Sequence, residues 1–412
     1  MPPRHPLLML GFAALPIGCV ACSDTYVRVI APLEAQPDMA DAEDMGLDMR
    51  ELAMVSSGDF SAGGLGWLHS CVLRDQKIYC WGLSPSRAAV ESASSLEPEL
   101  VDASRTWTAI SSGGESACAA DDIGQLWCWG VNRVGELGQG DIAARVAPAV
   151  VTLPGQVAHF DFGDSHVCAV LDAGQLYCWG LDNSGQLGRG EGASPQALSP
   201  SQVAAARDWA QVSAGVAHTC AIKRNGQLYC WGRNSQGQLG IGEVTQREPE
   251  PVRVGTKSDW VEVSAGSIHT CGIRRGGTLW CFGESTSGVL GVAELPRTRQ
   301  VEPVQLGEGR TWRTVAISDF KTCAVDTMDE LWCTGRNLDG ELGLEGPDRL
   351  EALTQIAAGV DPSGGVALGL FHACIWRDGG PMYCAGKNDD GRLGYGDKKA
   401  RRGFDEFVFF TE

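Results

Sequence analysis

The sequence predicts an all-β chain: a seven-bladed β-propeller of four-stranded blades, preceded by a signal peptide and a disordered acidic tether. Three observations carry that expectation. Cysteines recur in seven pairs: Cys71 with Cys80, Cys118 with Cys128, Cys168 with Cys178, Cys220 with Cys230, Cys271 with Cys281, Cys323 with Cys333 and Cys374 with Cys384. Their first members stand 47, 50, 52, 51, 52 and 51 residues apart. A fixed period near fifty marks one supersecondary unit copied seven times. Each pair brackets a β-hairpin signal. The strands around it are apolar on both sides, and a sheet with two apolar faces must be covered on both. Radially packed blades meet that demand.

The chain opens with Met1-Pro-Pro-Arg4-His5-Pro6 and an apolar stretch from Leu7 to Ile17. A basic start and a short apolar run have the form of a secretory signal. The run is too short for a membrane span, which needs about 20 apolar residues. Residues 1–21 are therefore assigned to a signal peptide of lipoprotein type, with Cys22 as the lipidated residue after Val20-Ala21. Parity supports Cys22. Its lipidation removes Cys19 with the signal, and the fourteen propeller cysteines are left paired. Lipidation at Cys19, and plain cleavage to a secreted protein, stand as alternatives.

Residues 22–52 read as a disordered acidic tether. Between Glu34 and Glu51 lie seven acids and one base, Arg50, with no aromatic residue. Such a composition buries too little apolar surface to fold. Thirty residues reach about 100 Å when extended.

Residues 53–412 form the seven repeats. The fourth is clearest: Trp209-Ala-Gln-Val212-Ser-Ala-Gly215, then His218-Thr-Cys220 through Tyr229-Cys230-Trp231-Gly232, then Gly237-Gln-Leu-Gly240. Asn225-Gly226 between apolar runs is a hairpin signal, since both residues tolerate positive φ. Centring the hairpin there sets Cys220 opposite Cys230, within reach of a disulfide. In the first repeat the cysteines are one residue closer. A two-residue loop at Asp75-Gln76 keeps Cys71 opposite Cys80. The Trp209–Val212 run and the run after Pro251 supply the other two strands. A late Phe407-Val408-Phe409-Phe410 run is expected to be the last outer strand, pairing with Met54-Val55-Ser56 to close the ring. Each ten-residue disulfide loop contributes about 2–3 kcal/mol by restricting the unfolded chain. Paired cysteines also point to an oxidising compartment.

These repeats resemble the regulator of chromosome condensation family, in the secreted bacterial lipoprotein form. The resemblance lies in the Trp-x-x-Val-Ser-x-Gly, His-Thr-Cys, Gly-x-Leu-Tyr-Cys-Trp-Gly and Gly-x-Leu-Gly elements and covers about residues 54–410. Gly-x-Leu-Gly occurs six times, at 135–138, 185–188, 237–240, 288–291, 340–343 and 391–394, while Ser84-Pro85-Ser86-Arg87 replaces it in the first repeat. The resemblance implies a propeller. It leaves function to be argued from sites.

Histidines precede the first cysteine by two residues in five repeats: His69, His166, His218, His269 and His372. Ser116 and Lys321 take that place in the other two. One position per blade spreads these side chains around the ring, so a hydrogen bond to a neighbouring strand is expected rather than a metal site. The aromatics before the second cysteine (Tyr79, Trp127, Tyr177, Tyr229, Trp280, Trp332, Tyr383) are read as inter-blade packing. No nucleophile elbow or His-Glu-x-x-His motif occurs. No catalytic, cofactor or metal residue is assigned. Cys19-x-x-Cys22 lies beside the signal, and two cysteines per hairpin do not make a tetrahedral zinc site.

Net charge is −18. Nucleic-acid binding wants clustered Lys and Arg, and Lys398-Lys399-Ala-Arg401-Arg402 is the one short basic run noted. The sequence therefore points to a monomeric, non-enzymatic binding scaffold without cofactor. It is expected to be exported, to the outer membrane or cell surface as a lipoprotein and otherwise to the periplasm or medium, touching membrane only through its lipid. Its expected partner is an envelope or extracellular protein, or a glycan. The contact surface is expected among the loops after each Gly-x-Leu-Gly, namely 141–147, 191–199, 243–250, 292–302 and 345–353, with 84–96 in the first repeat. The rival functions are a secreted enzyme inhibitor similar to β-lactamase-inhibiting propellers, a propeller lyase or hydrolase, and the family-name activity, guanine-nucleotide exchange.

Overall fold

Each cysteine hairpin is the centre of one four-stranded antiparallel sheet, and seven such sheets follow one another around an axis. The structure is a computed structural model. It describes residues 62–406 apart from 90–92, 286, 293–298, 357–361 and 378–379. The expected signal, Cys19, Cys22 and the tether lie outside the described residues.

Blade four shows the plan. Its inner strand is Trp209–Ala214, followed by His218–Lys223, Leu228–Arg233 and an outer strand Arg247–Arg253. Cys220 pairs with Cys230 in register. The same cross-strand disulfide closes every hairpin. Cys71 is bonded to Cys80, Cys118 to Cys128, Cys168 to Cys178 and Cys220 to Cys230. Cys271 is bonded to Cys281, Cys323 to Cys333 and Cys374 to Cys384. The Cα–Cα separation is 4.1 Å in each, a little under the usual range for a disulfide because the bonded residues face one another directly. At the hairpin turn of blade four only Gly226 takes positive φ, at 76°. In blade one both turn residues do, Asp75 at 48° and Gln76 at 60°. That two-residue turn keeps Cys71 opposite Cys80.

Three strand expectations need correction. The inner strand of blade four extends two residues past Val212, to Ala214. The outer strand runs through Pro249 and Pro251 rather than starting after them. Proline lacks the ladder N–H, but an outer edge strand has one row of groups unpaired, so proline fits there. Blade seven's outer strand is Arg401–Glu406, taking in part of the short basic run, with Asp405 opposite Cys384. Phe407–Phe410 and Met54–Ser56 lie outside the described residues.

Both faces of a blade are covered. In blade three, Val167, Ala169 and Trp179 pack with Leu126 and Leu137 of blade two. Cys168, Val170, Leu176 and Cys178 pack with Trp209, Val212 and Trp231 of blade four. Fully buried aromatics follow the second cysteine in five blades (Trp81, Trp129, Trp179, Trp231 and Phe282), and others, such as Trp107, Trp209 and Trp260, open the inner strands. Each buries about 200 Å², on the order of 5 kcal/mol gross at about 25 cal/mol per Å². The residues before that cysteine are half-buried instead. The Gly-x-Leu-Gly leucine enters the next interface, and Gly138, at φ +68°, comes so close that a Cβ would stand 2.5 Å from the Trp179 indole nitrogen. Blade one replaces this element with a one-turn helix, Pro85–Ala88, lying against blade two.

The ring closes by packing. Leu65, Val72 and Trp81 of blade one share a core with Val366, Leu368 and Ile375 of blade seven. Trp81 Nε1 donates to Arg392 O at 2.8 Å, and Arg392 Nη1 to Trp67 O at 2.9 Å.

Candidate binding surface

The antiparallel register gives the ring two ends. The hairpin end carries the turns between second and third strands and the links from blade to blade. The loop end carries the turns between first and second strands and the long loops before each outer strand. Hydrogen bonds join the latter two sets, as from Arg233 N to Ala217 O at 2.8 Å. The loops expected to vary therefore share one end with the inner turns.

Those long loops are held by a residue that the sequence analysis does not single out. Asn132 is buried, donates Nδ2 to Asp141 O at 2.9 Å and Ala143 O at 3.1 Å, and accepts from Leu137 N at 3.1 Å. Asn234, Asn337 and Asn388 do the same in blades four, six and seven. A signal for them is present in the repeat: each stands two residues after the Gly that closes the third strand. Blade three has Asp182 there, which cannot donate. Arg189 binds its carboxylate at 2.9 Å and reaches the carbonyls of Ser194 and Gln196. Burial raises the Asp182 pKa, against hydrogen bonds from Leu187 and Arg189.

The histidines form relays between blades. His166 Nε2 meets Thr219 Oγ1 at 2.8 Å, His218 meets Thr270 at 2.8 Å and His269 meets Thr322 at 2.9 Å. His372 meets Ser70 at 2.9 Å across the closure. The threonine hydroxyls then donate back to the preceding blade, as Thr219 does to Gln186 O at 2.8 Å. Blade seven offers Ala373 in that place, and blade six uses Lys321, whose Nζ donates to Gly369 O at 2.7 Å and Leu370 O at 3.0 Å. Blade two offers Ala117, and neither ring nitrogen of His69 has a hydrogen-bond partner. Burial lowers the pKa of His166, His218 and His269 to about 3, with smaller charge effects from His166 and His269 on His218. Burial, then Arg392, lowers His69 likewise. Burial brings Lys321 to about 8. These groups are structural, and among the described residues no three His, Cys, Asp or Glu side chains gather as a metal site.

Carboxylates at the channel wall also tie blades together. Asp161 of blade three accepts from Ser111 of blade two at 3.0 Å and from Ser213 of blade four at 3.1 Å. Glu262 accepts from Thr314 and Val315 N of blade six at 3.2 and 2.9 Å.

Among the charged residues of the loop end, apolar side chains also face solvent. Between blades five and six lies a concavity of about 460 Å³, lined by Ser287, Phe320, Arg336, Leu338, Asp348 and Arg349. Phe320 is 37% exposed and Leu338 53%. The frame around them is fixed. Asn337 N donates to Asp348 O at 2.7 Å. Arg336 pairs with Asp339 and Glu341 at 3.1 and 3.2 Å and lies over the Phe371 ring. Asp348 and Arg349 belong to the expected 345–353 loop. The inner-turn residue Phe320 lies outside the expected loops, at a position that changes from repeat to repeat (Leu68, Glu115, Ser165, Ala217, Ile268, Phe371), so periodicity does not mark it.

Several known proteins share this design. Ultraviolet-B receptor UVR8 of Arabidopsis thaliana is 31% identical over 188 residues, covering 45% of this chain and 43% of the receptor. Regulator of chromosome condensation of Homo sapiens is 27% identical over 182 residues, 43% of each. Probable E3 ubiquitin-protein ligase HERC6 of Homo sapiens is 28% identical over 199 residues, 47% of this chain and 20% of the ligase. The chain spans less than half the length of each. Among solved structures, Prp20p from Saccharomyces cerevisiae superposes with a TM-score of 0.73 at 19% identity, over 87% of this chain and 89% of that one. Residues 145–406 match the model of the RCC1-like domain. With that match spanning more than half of its length, the chain belongs to the RCC1-like domain family.

Proposed function

We propose that this chain is a non-enzymatic scaffold that grips a protein partner with the loop end of its ring. The observation that carries this is the concavity where Phe320 and Leu338 stand exposed side by side on a clamped frame. Apolar side chains in a rigid hollow with a polar rim make the kind of anchor pocket that dominates interface energetics. Its relatives include a receptor, a probable ligase and a regulator, and Prp20p has binding properties to Gsp1p and histones. The shared element is the propeller, which favours recognition over any one chemistry.

The reading includes export and anchoring through Cys22. Its support is the seven disulfides, which persist in oxidising compartments, together with the basic and apolar start of the chain. Mass spectrometry of the mature N-terminus tests that part: an acylated Cys22 is expected, and an unmodified terminus elsewhere overturns it.

Photo-crosslinking on intact cells tests the binding part. A photoreactive residue at Leu338 is expected to yield a discrete adduct that a control at Gln125, on the hairpin end, does not. Phe320→Asp is expected to abolish the adduct. Equal labelling from both positions overturns the reading.

A further inference from the structure

The hairpin end has its own character. Across blades three to five its turns and links bring together Arg207, Arg224, Lys257 and Arg275, all exposed. Hydrogen bonds make them one surface. Arg224 N donates to Asp208 O at 2.7 Å, and its Nη2 donates to Asp172 O at 2.8 Å. Arg275 N donates to Asp259 O at 2.6 Å, and Trp260 N to Gly226 O at 3.1 Å. Lys223, Arg253 and Arg274 stand behind, the first and last stacked on tryptophans. Seven cations here face three carboxylates, Asp172, Asp208 and Asp259, in a chain that has 33 Lys and Arg against 51 Asp and Glu. Lys223 and Arg274 already pair with Asp208 and Asp259.

The chain enters the ring at this same end. Ala62 pairs with Leu73, beside the Asp75-Gln76 turn. The preceding sequence holds seven acids and one base between Glu34 and Glu51. Residues 52–61 link the two, and ten residues reach at most about 33 Å. We propose that the acidic segment 34–51 docks in cis on this basic arc. Charge complementarity selects the segment, and the entry point holds it at high effective concentration. Exposed charges attract over about 10 Å at 0.1 M salt, so the contact forms at low ionic strength and is released by salt. The segment would then compete with any other polyanion for the arc, leaving the loop end free. This goes beyond the binding reading and does not depend on Cys22.

Zero-length carbodiimide coupling on the full chain tests it, with Lys257 as the reporting amine. At 20 mM salt, peptide mapping is expected to find Lys257 joined to carboxylates of segment 34–51, with a yield independent of protein concentration. The yield is expected to fall at least five-fold at 500 mM salt. It is expected to fall as much in Arg207→Gln/Arg224→Gln/Arg275→Gln, which keeps the reporter. Added poly-glutamate is expected to suppress it. Coupling that rises with protein concentration identifies a second copy as the occupant and overturns the proposal. So does coupling unchanged in the triple variant, once its melting curve matches the parent, and so does absence of coupling to the segment.

Discussion

Arg189 and Asp182 are a compensated pair: the guanidinium Nε donates to the carboxylate at 2.9 Å in the blade where aspartate stands in place of the asparagine. Asparagine offers a donor and an acceptor from one amide. Asp182 keeps only the acceptor, used by Leu187 N at 2.9 Å. Arg189 supplies the donors from seven residues away. Removing it in Arg189→Ala strands a carboxylate whose side chain is 2% exposed. The expected loss is about 2 kcal/mol, below the 3–5 of a fully buried pair because Arg189 touches solvent. Asp182→Asn added to that variant is expected to restore most of the stability. Chemical denaturation measures both, and a double variant no more stable than Arg189→Ala would sink the idea.

The junction of blades six and seven makes a second exchange. Lys321 replaces histidine where Ala373 replaces threonine, and Lys321 turns to two main-chain carbonyls instead. Lys321→His alone leaves those carbonyls without their donor and sets an imidazole against a methyl group. Leaving buried groups unpaired costs about 1–3 kcal/mol. Adding Ala373→Thr rebuilds the relay seen from His269 to Thr322. A double-mutant cycle is expected to show favourable coupling of about 1 kcal/mol. Strict additivity of the two changes would refute it.

The repeat is legible because it is periodic. Cysteine spacing names the hairpin, the hairpin names its register, and two apolar faces name the ring. All seven expected pairs, from Cys71 with Cys80 to Cys374 with Cys384, are bonded in that register. Exceptions are harder to read. Lys321 and Arg189 make sense only with the partner they face, 48 and seven residues away. Phe320 and Leu338 come from two different kinds of turn in blade six, and only the folded sheet, where Arg336 N donates to Phe320 O at 2.7 Å, sets them beside one concavity. The outer strand of blade seven escapes a hydrophobic reading because Arg401–Glu406 is charged. An edge strand facing solvent needs no apolar run, so hydrophobicity points downstream to Phe407.

Burial of the histidines is expected to give the fold an acid limit. His69, His166, His218 and His269 sit at about 3 against an ordinary 6.5, and His372 is also well below it through burial, Arg392, Lys321 and His69. Below about pH 6.5 the unfolded chain takes protons that the folded chain refuses, so stability falls as pH falls. Above that, both states are neutral and the effect vanishes. Each of the first four contributes a slope of about 1.4 kcal/mol per pH unit between about pH 6 and 3. Glu136 and Asp182, whose pKa values burial raises, act in the opposite sense at lower pH. His166→Asn removes one titration and keeps a polar group near Thr219. Guanidinium midpoints measured at pH 7.5, 6.0, 5.0 and 4.5 are expected to drop steeply for the parent below pH 6. The variant is expected to drop less, by about 1.4 kcal/mol per pH unit. Parallel curves for the two would show that the buried imidazoles do not set the acid limit.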